Sequence, residues 1–206
     1  MPRTKSSQRW LKEHFNDPYV KRAQQLGYRS RAAFKLLEIQ QRDRVIKSGM
    51  TLIDLGAAPG GWTQLLAQWV GPAGKVFAVD LLPMPPIVGV EILQGDIQTP
   101  EILAQLRAAL ASRPVDVIVS DMAPNASGHK AVDQPRMIAL AELCLWLAKE
   151  VLKPRGTLLL KIFQGSDYEA FVRALRQSFQ RVVVRKPDAS RARSAEVYLL
   201  ATGFMV

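Results

Sequence analysis

Lys161 stands in the run Leu158-Leu-Leu-Lys161-Ile-Phe163, an ammonium inside an otherwise apolar, β-rich stretch. Burying that charge unpaired would be expensive, so the side chain either reaches solvent at a strand end or pairs with carboxylates in a site. Lys35 poses a similar question in Ala32-Ala-Phe-Lys35-Leu-Leu37, although a lysine on a helix can also snorkel outward. Carboxylates that could meet such cations recur at strand ends: Asp54, Asp80, Asp96 and Asp121 each close or just follow an apolar run. Any one of them could be a turn former or helix cap. Four along one rim repel each other unless ligands or cations use them.

Residues 52–64, Leu-Ile-Asp-Leu-Gly-Ala-Ala-Pro-Gly-Gly-Trp-Thr-Gln, lead from a strand through a glycine-rich turn into a helix. Gly56, Gly60 and Gly61 allow a sharp turn and close approach of a ligand, and the helix start offers unpaired N–H groups. The order is not the G-x-G-x-x-G dinucleotide fingerprint. With Asp54 just before the first glycine, the spacing suits S-adenosylmethionine better than NAD. Asp80, at the end of the second strand, can accept both ribose hydroxyls of an adenosine. Asp96 can accept from an adenine amino group, with Ile97 available to pack on the base. Trp62 either walls that pocket or packs its ring on the sheet. Neither His14 nor His129 has a second ligand at metal-binding spacing, so no metal is expected.

These residues need a frame, and the chain alternates short β-rich runs with helical ones from residue 50 onward. The runs 50–55, 75–80, 90–94, 115–120, 156–162, 181–186 and 196–203 read as strands; 62–70, 99–112, 133–152 and 167–179 read as helices. That alternation predicts an α/β fold with a seven-stranded, mostly parallel sheet and helices on both faces. The last two runs are joined by a polar loop too short for a crossover helix, so they should pair antiparallel. Upstream, Pro18 to Leu26 and Ser30 to Asp43 read as helices, with Ser30 as N-cap. One domain spanning residues 1–206, with a basic helical extension over about 1–47, is expected.

The 206 residues carry 28 Lys/Arg against 18 Asp/Glu, a net charge of +10. Twelve of the bases lie in residues 1–47 against four acids, and five in residues 181–206 against two. A nearly neutral middle with two basic ends suits a catalytic body with electropositive arms for a polyanion. The ends lack a long amphipathic helix with a bulky apolar face, so nucleic acid is the expected partner rather than a membrane. No uninterrupted apolar run of about 18 residues and no apolar leader is visible, which makes a cytoplasmic protein the expectation. Cys144, alone in Leu143-Cys-Leu-Trp-Leu147, reads as a buried small hydrophobe.

Five runs together resemble the FtsJ/RlmE family of ribosomal RNA 2′-O-methyltransferases. They are Gly27-Tyr-Arg-Ser-Arg-Ala-Ala-Phe-Lys-Leu36, Asp54-Leu-Gly-Ala-Ala-Pro-Gly-Gly-Trp62, Asp121-Met-Ala-Pro-Asn-Ala-Ser-Gly128, Lys161-Ile-Phe-Gln-Gly165 and Arg185-Lys-Pro-Asp-Ala-Ser-Arg-Ala-Arg-Ser-Ala-Glu196. The similarity spans nearly the whole chain, from about residue 8 to 204. It implies a Rossmann-like class I methyltransferase, with only the last strand antiparallel, and a Lys-Asp-Lys-Glu tetrad at Lys35, Asp121, Lys161 and Glu196. It also implies S-adenosylmethionine bound at Gly60, Trp62, Asp80, Asp96 and Asp121, beside the Asp54 and Gly56 of the turn, with S-adenosylhomocysteine as product and no metal. The implied substrate is a uridine 2′-hydroxyl in the A-loop of 23S ribosomal RNA, on an assembled or late 50S subunit.

The reaction so implied is an in-line displacement, in which alignment and management of the hydroxyl proton are the main demands. Lys161 is the expected proton acceptor; Lys35 acts on its charge in one direction and Asp121 and Glu196 in the other, and a protonated Lys161 would instead orient the hydroxyl. Arg29, Arg31, Arg185, Lys186, Arg191 and Arg193 are expected against RNA phosphates. Tyr28 either stacks on a base or packs the N-terminal helices onto the body. A monomer is expected. Two other readings share features with this one: a transfer-RNA anticodon-loop methyltransferase has the same tetrad, and a non-catalytic ribosome-assembly factor would keep the basic ends and the fold. An NAD-dependent oxidoreductase would instead need nicotinamide binding.

Overall fold

The computed structural model describes residues 17–125, 127–191 and 194–205. The expectations attached to His14 and Arg193, and the first part of the basic N-terminal extension, lie outside the described residues.

Seven strands form one sheet in the order β3-β2-β1-β4-β5-β7-β6: β1 Thr51–Leu55, β2 Lys75–Asp80, β3 Val90–Gln94, β4 Val115–Ser120, β5 Leu152–Phe163, β6 Phe179–Arg185 and β7 Glu196–Phe204. The first five run parallel. β7 is inserted between β5 and β6 and is antiparallel to both, as the short 185–196 connection requires. The observed β5 starts four residues before the expected 156. Its register to β4 jumps from Val115↔Leu152 to Val117↔Thr157, so Lys153-Pro-Arg-Gly156 bulges out, and the bulge accommodates a proline that has no ladder N–H.

Helices cover both faces. On one side lie α1 Pro18–Gln25, α2 Ala33–Asp43 and α3 Gly61–Val70; on the other lie α4 Pro100–Leu110, α5 Lys130–Val151 and α6 Tyr168–Ser178. Two apolar cores result. Leu36, Ile39, Leu65 and Leu66 meet Leu52, Val119, Leu159 and Leu200 in one; Leu106, Ala141, Cys144 and Leu175 meet Ile53, Ile118, Leu158 and Leu199 in the other. Alternate residues of each strand feed opposite cores, the period of two expected of a strand covered on both faces. Cys144 is free and buried, and burial pushes its thiol up to about 12.

Local signals set several ends. Asp17 caps α1 by accepting from Tyr19 N at 2.9 Å, with Pro18 in the first turn, and Thr99 with Pro100 starts α4 in the same way. Ser30 is not the N-cap of α2. The helix starts at Ala33 after Ala32 with no side-chain cap, and Ser30 is instead packed against α3, where a Cβ added to Gly61 would lie 2.2 Å from its Oγ. No helix of the described residues is long and apolar enough to cross a membrane.

Candidate functional site

The carboxyl ends of β1, β2, β3 and β4 form a rim that gathers the acids singled out from sequence, as open α/β sheets place their ligand crevices. Gly56 leaves β1 at φ +74°, a conformation that side chains other than glycine adopt at a cost, and a Cβ there would lie 2.6–3.0 Å from Met122, backbone included. Gly60 has φ +103° and is covered by Arg29 and Met84. Gln64 N is the first to bond back, to Gly60 O at 3.0 Å, so the N–H groups opening α3 have no partner within the helix.

Asp54 is fully buried. Its Oδ2 accepts from Thr63 Oγ1 at 2.7 Å, while Oδ1 has no partner among the described residues. Burial pushes its carboxyl up to about 7, against the lowering effect of the Thr63 hydrogen bond and with Asp121 and Asp80 adding to the rise. Asp80 accepts from Ala58 N at 2.9 Å and Leu82 N at 2.8 Å, one bond on each oxygen. Asp96 Oδ1 accepts from Gln98 N at 2.9 Å. Asp80 and Asp96 both keep lone pairs for further donors. Ile97 is buried in the core under α4. Of the two alternatives for Trp62, its ring takes the packing one: it is 3% exposed, tilted against Tyr198, and its indole N–H donates to Ala32 O at 2.7 Å.

The four tetrad residues meet where β4 and β5 end and β7 begins, beside α2. Lys161 Nζ lies 3.1 Å from Asp121 Oδ1 and also donates to the Asp121 backbone carbonyl. Lys35 Nζ lies 2.7 Å from Glu196 Oε1, which accepts from Ser190 Oγ at 2.8 Å as well. Lys161 and Lys35 are 7% and 8% exposed, so neither escapes to solvent and both resolve the sequence question by pairing.

Tyr198 joins the two pairs. It sits directly opposite Lys161 in the β5–β7 register, donates its hydroxyl to Asp121 Oδ1 at 2.6 Å, and presents its ring to Lys35 Nζ at 5.6 Å. Burial tends to raise the Asp121 carboxyl, but Lys161 and Lys35, with the Tyr198 hydrogen bond, hold it below the usual aspartate range. Burial first, then the charges of Asp121 and Glu196, push the Tyr198 phenol well above its ordinary value, which keeps it a donor. Tyr198 escaped the sequence reading. The signal was there: two residues after Glu196 in a strand, it must share Glu196's face.

Most of the basic residues selected from sequence are engaged within the protein. Arg29 donates to three backbone carbonyls, Pro59 at 3.3 Å, Pro85 at 2.7 Å and Pro86 at 2.9 Å, and so staples the loop after β1 to the loop after β2. Arg31 pairs with Asp17 at 3.1 Å and donates to Ala189 O. Arg185 forms a two-pronged pair with Asp43 at 2.8 and 2.6 Å. Lys186 donates to Ser194 O at 2.7 Å and to Glu196 O. Arg191 lies 4.0 Å from Asp17. Tyr28 packs edge-on against Phe34. Glu38, not singled out from sequence, accepts from the backbone N–H of Asp188 at 2.6 Å and of Ala189 at 3.1 Å. Among the described residues no group of three His, Cys, Asp or Glu could hold a metal ion.

A parallel sheet closed by one inserted antiparallel strand, with a glycine turn after β1 and acids along its carboxyl rim, defines a Rossmann-like fold. The profile of the FtsJ-like methyltransferases matches residues 28–204, and the chain belongs to that family. Among curated relatives it is 55% identical over 206 residues, covering all of both chains, to the ribosomal RNA large subunit methyltransferase E of Marinobacter nauticus. It is 56% identical over 201 residues to the protein of the same name in Xanthomonas euvesicatoria, covering 98% of this chain and 96% of the relative. Among solved structures, a Plasmodium falciparum protein described as a ribosomal RNA methyltransferase superposes with a TM-score of 0.77 at 27% identity, over 86% of this chain and 98% of that one.

Proposed function

We propose that this protein transfers a methyl group from S-adenosylmethionine to the ribose 2′-hydroxyl of a uridine in the A-loop of 23S ribosomal RNA, on an assembled or late large subunit. The observation that carries this reading is the buried cluster of Lys161, Asp121, Tyr198, Lys35 and Glu196 at the carboxyl end of the sheet, beside the glycine turn. The full-length similarity to large-subunit methyltransferases supports the RNA class. The donor set fits the cofactor: Asp80 and Asp96 retain acceptor capacity suited to ribose hydroxyls and an exocyclic amine. Gly56, Gly60, Asp54, Trp62 through its backbone, and Asp121 complete the proposed pocket. When bound, S-adenosylmethionine supplies a methyl group already activated by its sulfonium charge.

What the protein must add is orientation and proton management. Lys161 Nζ, in its amine form, takes the hydroxyl proton. Asp121 fixes Lys161 in place through its side chain and its backbone carbonyl, and the resulting ammonium is stabilised by the same carboxylate. Lys35 and Glu196 hold one another and orient the ribose from the α2 side.

The test is transfer of labelled methyl to undermodified large subunits, with the product nucleotide mapped by mass spectrometry. Lys161→Ala is expected to lower transfer by about 10²–10⁴-fold while cofactor affinity, measured without RNA, stays within a few-fold. Label on a base, or on transfer RNA alone, would overturn the substrate; loss of cofactor binding in Lys161→Ala would overturn its role.

A further inference from the structure

The cations selected from the sequence for RNA are largely spent on protein partners, and other cations are not. Arg44, Lys47, Arg155 and Arg181 line a groove of about 290 Å³ together with Thr157 and Thr202. None of the four has a side-chain hydrogen bond or ion pair among the described residues. The one acid at the edge of the groove, Asp43, is already taken by both prongs of Arg185.

Position gives this charge a direction. Thr157, Thr202 and Arg181 are neighbours across β5, β7 and β6, at the end of the sheet where β5 begins its regular pairing and β7 finishes. Thr157 lies four residues from Lys161, and Thr202 four from Tyr198, so by strand periodicity they share the face of Lys161 and Tyr198, about 13 Å away. Arg44 and Arg155 have φ of 50° and 65°, left-handed conformations that glycine adopts at less cost. The chain keeps an arginine at both.

We propose that this groove is a second RNA-backbone site, which grips phosphates some distance along the strand from the nucleotide held at Lys161. The proposal rests on the RNA reading above. Four unpartnered cations supply the charge, and the threonine hydroxyls offer neutral donors to phosphate oxygens. Leu159 and Leu200 fill the face between the tetrad and the groove beneath α2, so an RNA that meets both runs around that helix, its recurring phosphates presenting charge at each end.

The test uses the full chain carrying Arg155→Gly with Arg181→Gln; glycine relieves the left-handed strain at 155, so the fold is not put at risk. Affinity for undermodified large subunits and for protein-free large-subunit RNA is measured across roughly 50–200 mM KCl. The expected result is a drop of about ten-fold or more at the lower salt and a log–log salt slope shallower by about two, on both ligands, with cofactor affinity and thermal midpoint not reduced. Restoring charge with Arg181→Lys in place of glutamine recovers part of the slope. An unchanged affinity and slope would sink the proposal. So would weakened binding to subunits with unchanged binding to protein-free RNA, because the groove would then meet a ribosomal protein. If the wild type binds RNA but methylates no ribose, the functional reading fails while the groove is still tested by the slope.

Discussion

The rim at the ends of β1 to β4 and the corner where α2 meets the 185–196 segment are built in opposite ways. At the rim, backbone does the positioning: a Cβ on Gly56 would lie 3.0 Å from the Met122 main chain, and the Asp80 and Asp96 carboxylates are tethered by N–H groups of the chain's own turns. At the corner, side chains do it. Arg185 to Asp43, Arg31 to Ala189 and Glu38 to Asp188 and Ala189 span 142 to 158 positions, and they carry Lys35 and Glu196 into range. A backbone-built site tolerates side-chain change but not an added Cβ; a side-chain-built site fails one tie at a time. The difference separates how the rim is shaped from how Lys35 and Glu196 are brought together.

The most severe way to break the contrast is Gly56→Ala. Left-handed strain and the collision with Met122 should cost about 3 kcal/mol of stability, read as a lowered urea midpoint, with the corner's ties left intact. A midpoint equal to wild type would mean that the turn is not backbone-limited.

Asp54→Asn tests the buried acid of the rim through pH. Because burial raises the folded-state carboxyl to about 7, the folded protein binds this proton more tightly than the unfolded chain. Wild-type stability from this group is therefore complete below about pH 4 and declines as pH rises through about 7. The asparagine variant lacks that decline, so its stability relative to wild type should increase between pH 5 and pH 8.5, by on the order of a few kcal/mol. Parallel urea midpoints for the two proteins at both pH values would refute it.

At the corner, Glu38→Ala removes the acceptor for two backbone N–H groups and loosens the segment leading to Glu196. Methyl transfer should fall by roughly ten-fold, with cofactor affinity unchanged in calorimetry. Equal losses in both would show that rim and corner are not separable. Smaller still is Tyr198→Phe. Deleting the hydroxyl takes away one of the influences that lower the Asp121 carboxyl, so that carboxyl, followed by NMR, should titrate at higher pH than in the wild type. A shift the other way, or none, would detach Tyr198 from Asp121.

The same contrast explains what the sequence disclosed. The seven strands, the antiparallel last pair and the acids at strand ends follow from periodicity and turn chemistry over short windows, and they match the sheet to within a few residues except at β5, where a bulge extends pairing back to Leu152. Lys161 was conspicuous because a charge in an apolar strand demands a partner, and Asp121 is that partner. Arg29, Arg31 and Arg185 read as free charge because a sequence shows an arginine's sign but not the carbonyls or carboxylates that absorb it. Their partners lie up to 158 positions away, beyond any local pattern. Ser30 resembled a cap for the same reason: a hydroxyl before a helical run is a local signal, and its contact with Gly61 is not.

The insertion of β7 between β5 and β6 has a consequence for the order of assembly during synthesis. The rim strands β1 to β4, with β5, can associate as soon as they emerge, since each finds its neighbour among earlier residues. β6 cannot, because its sheet partner is β7, which follows it in the chain. Glu196 and Tyr198 travel on that final strand. A nascent chain thus completes its glycine-turn rim first and acquires Glu196 and Tyr198 last, when long-range pairing, the slow component of folding, closes the sheet.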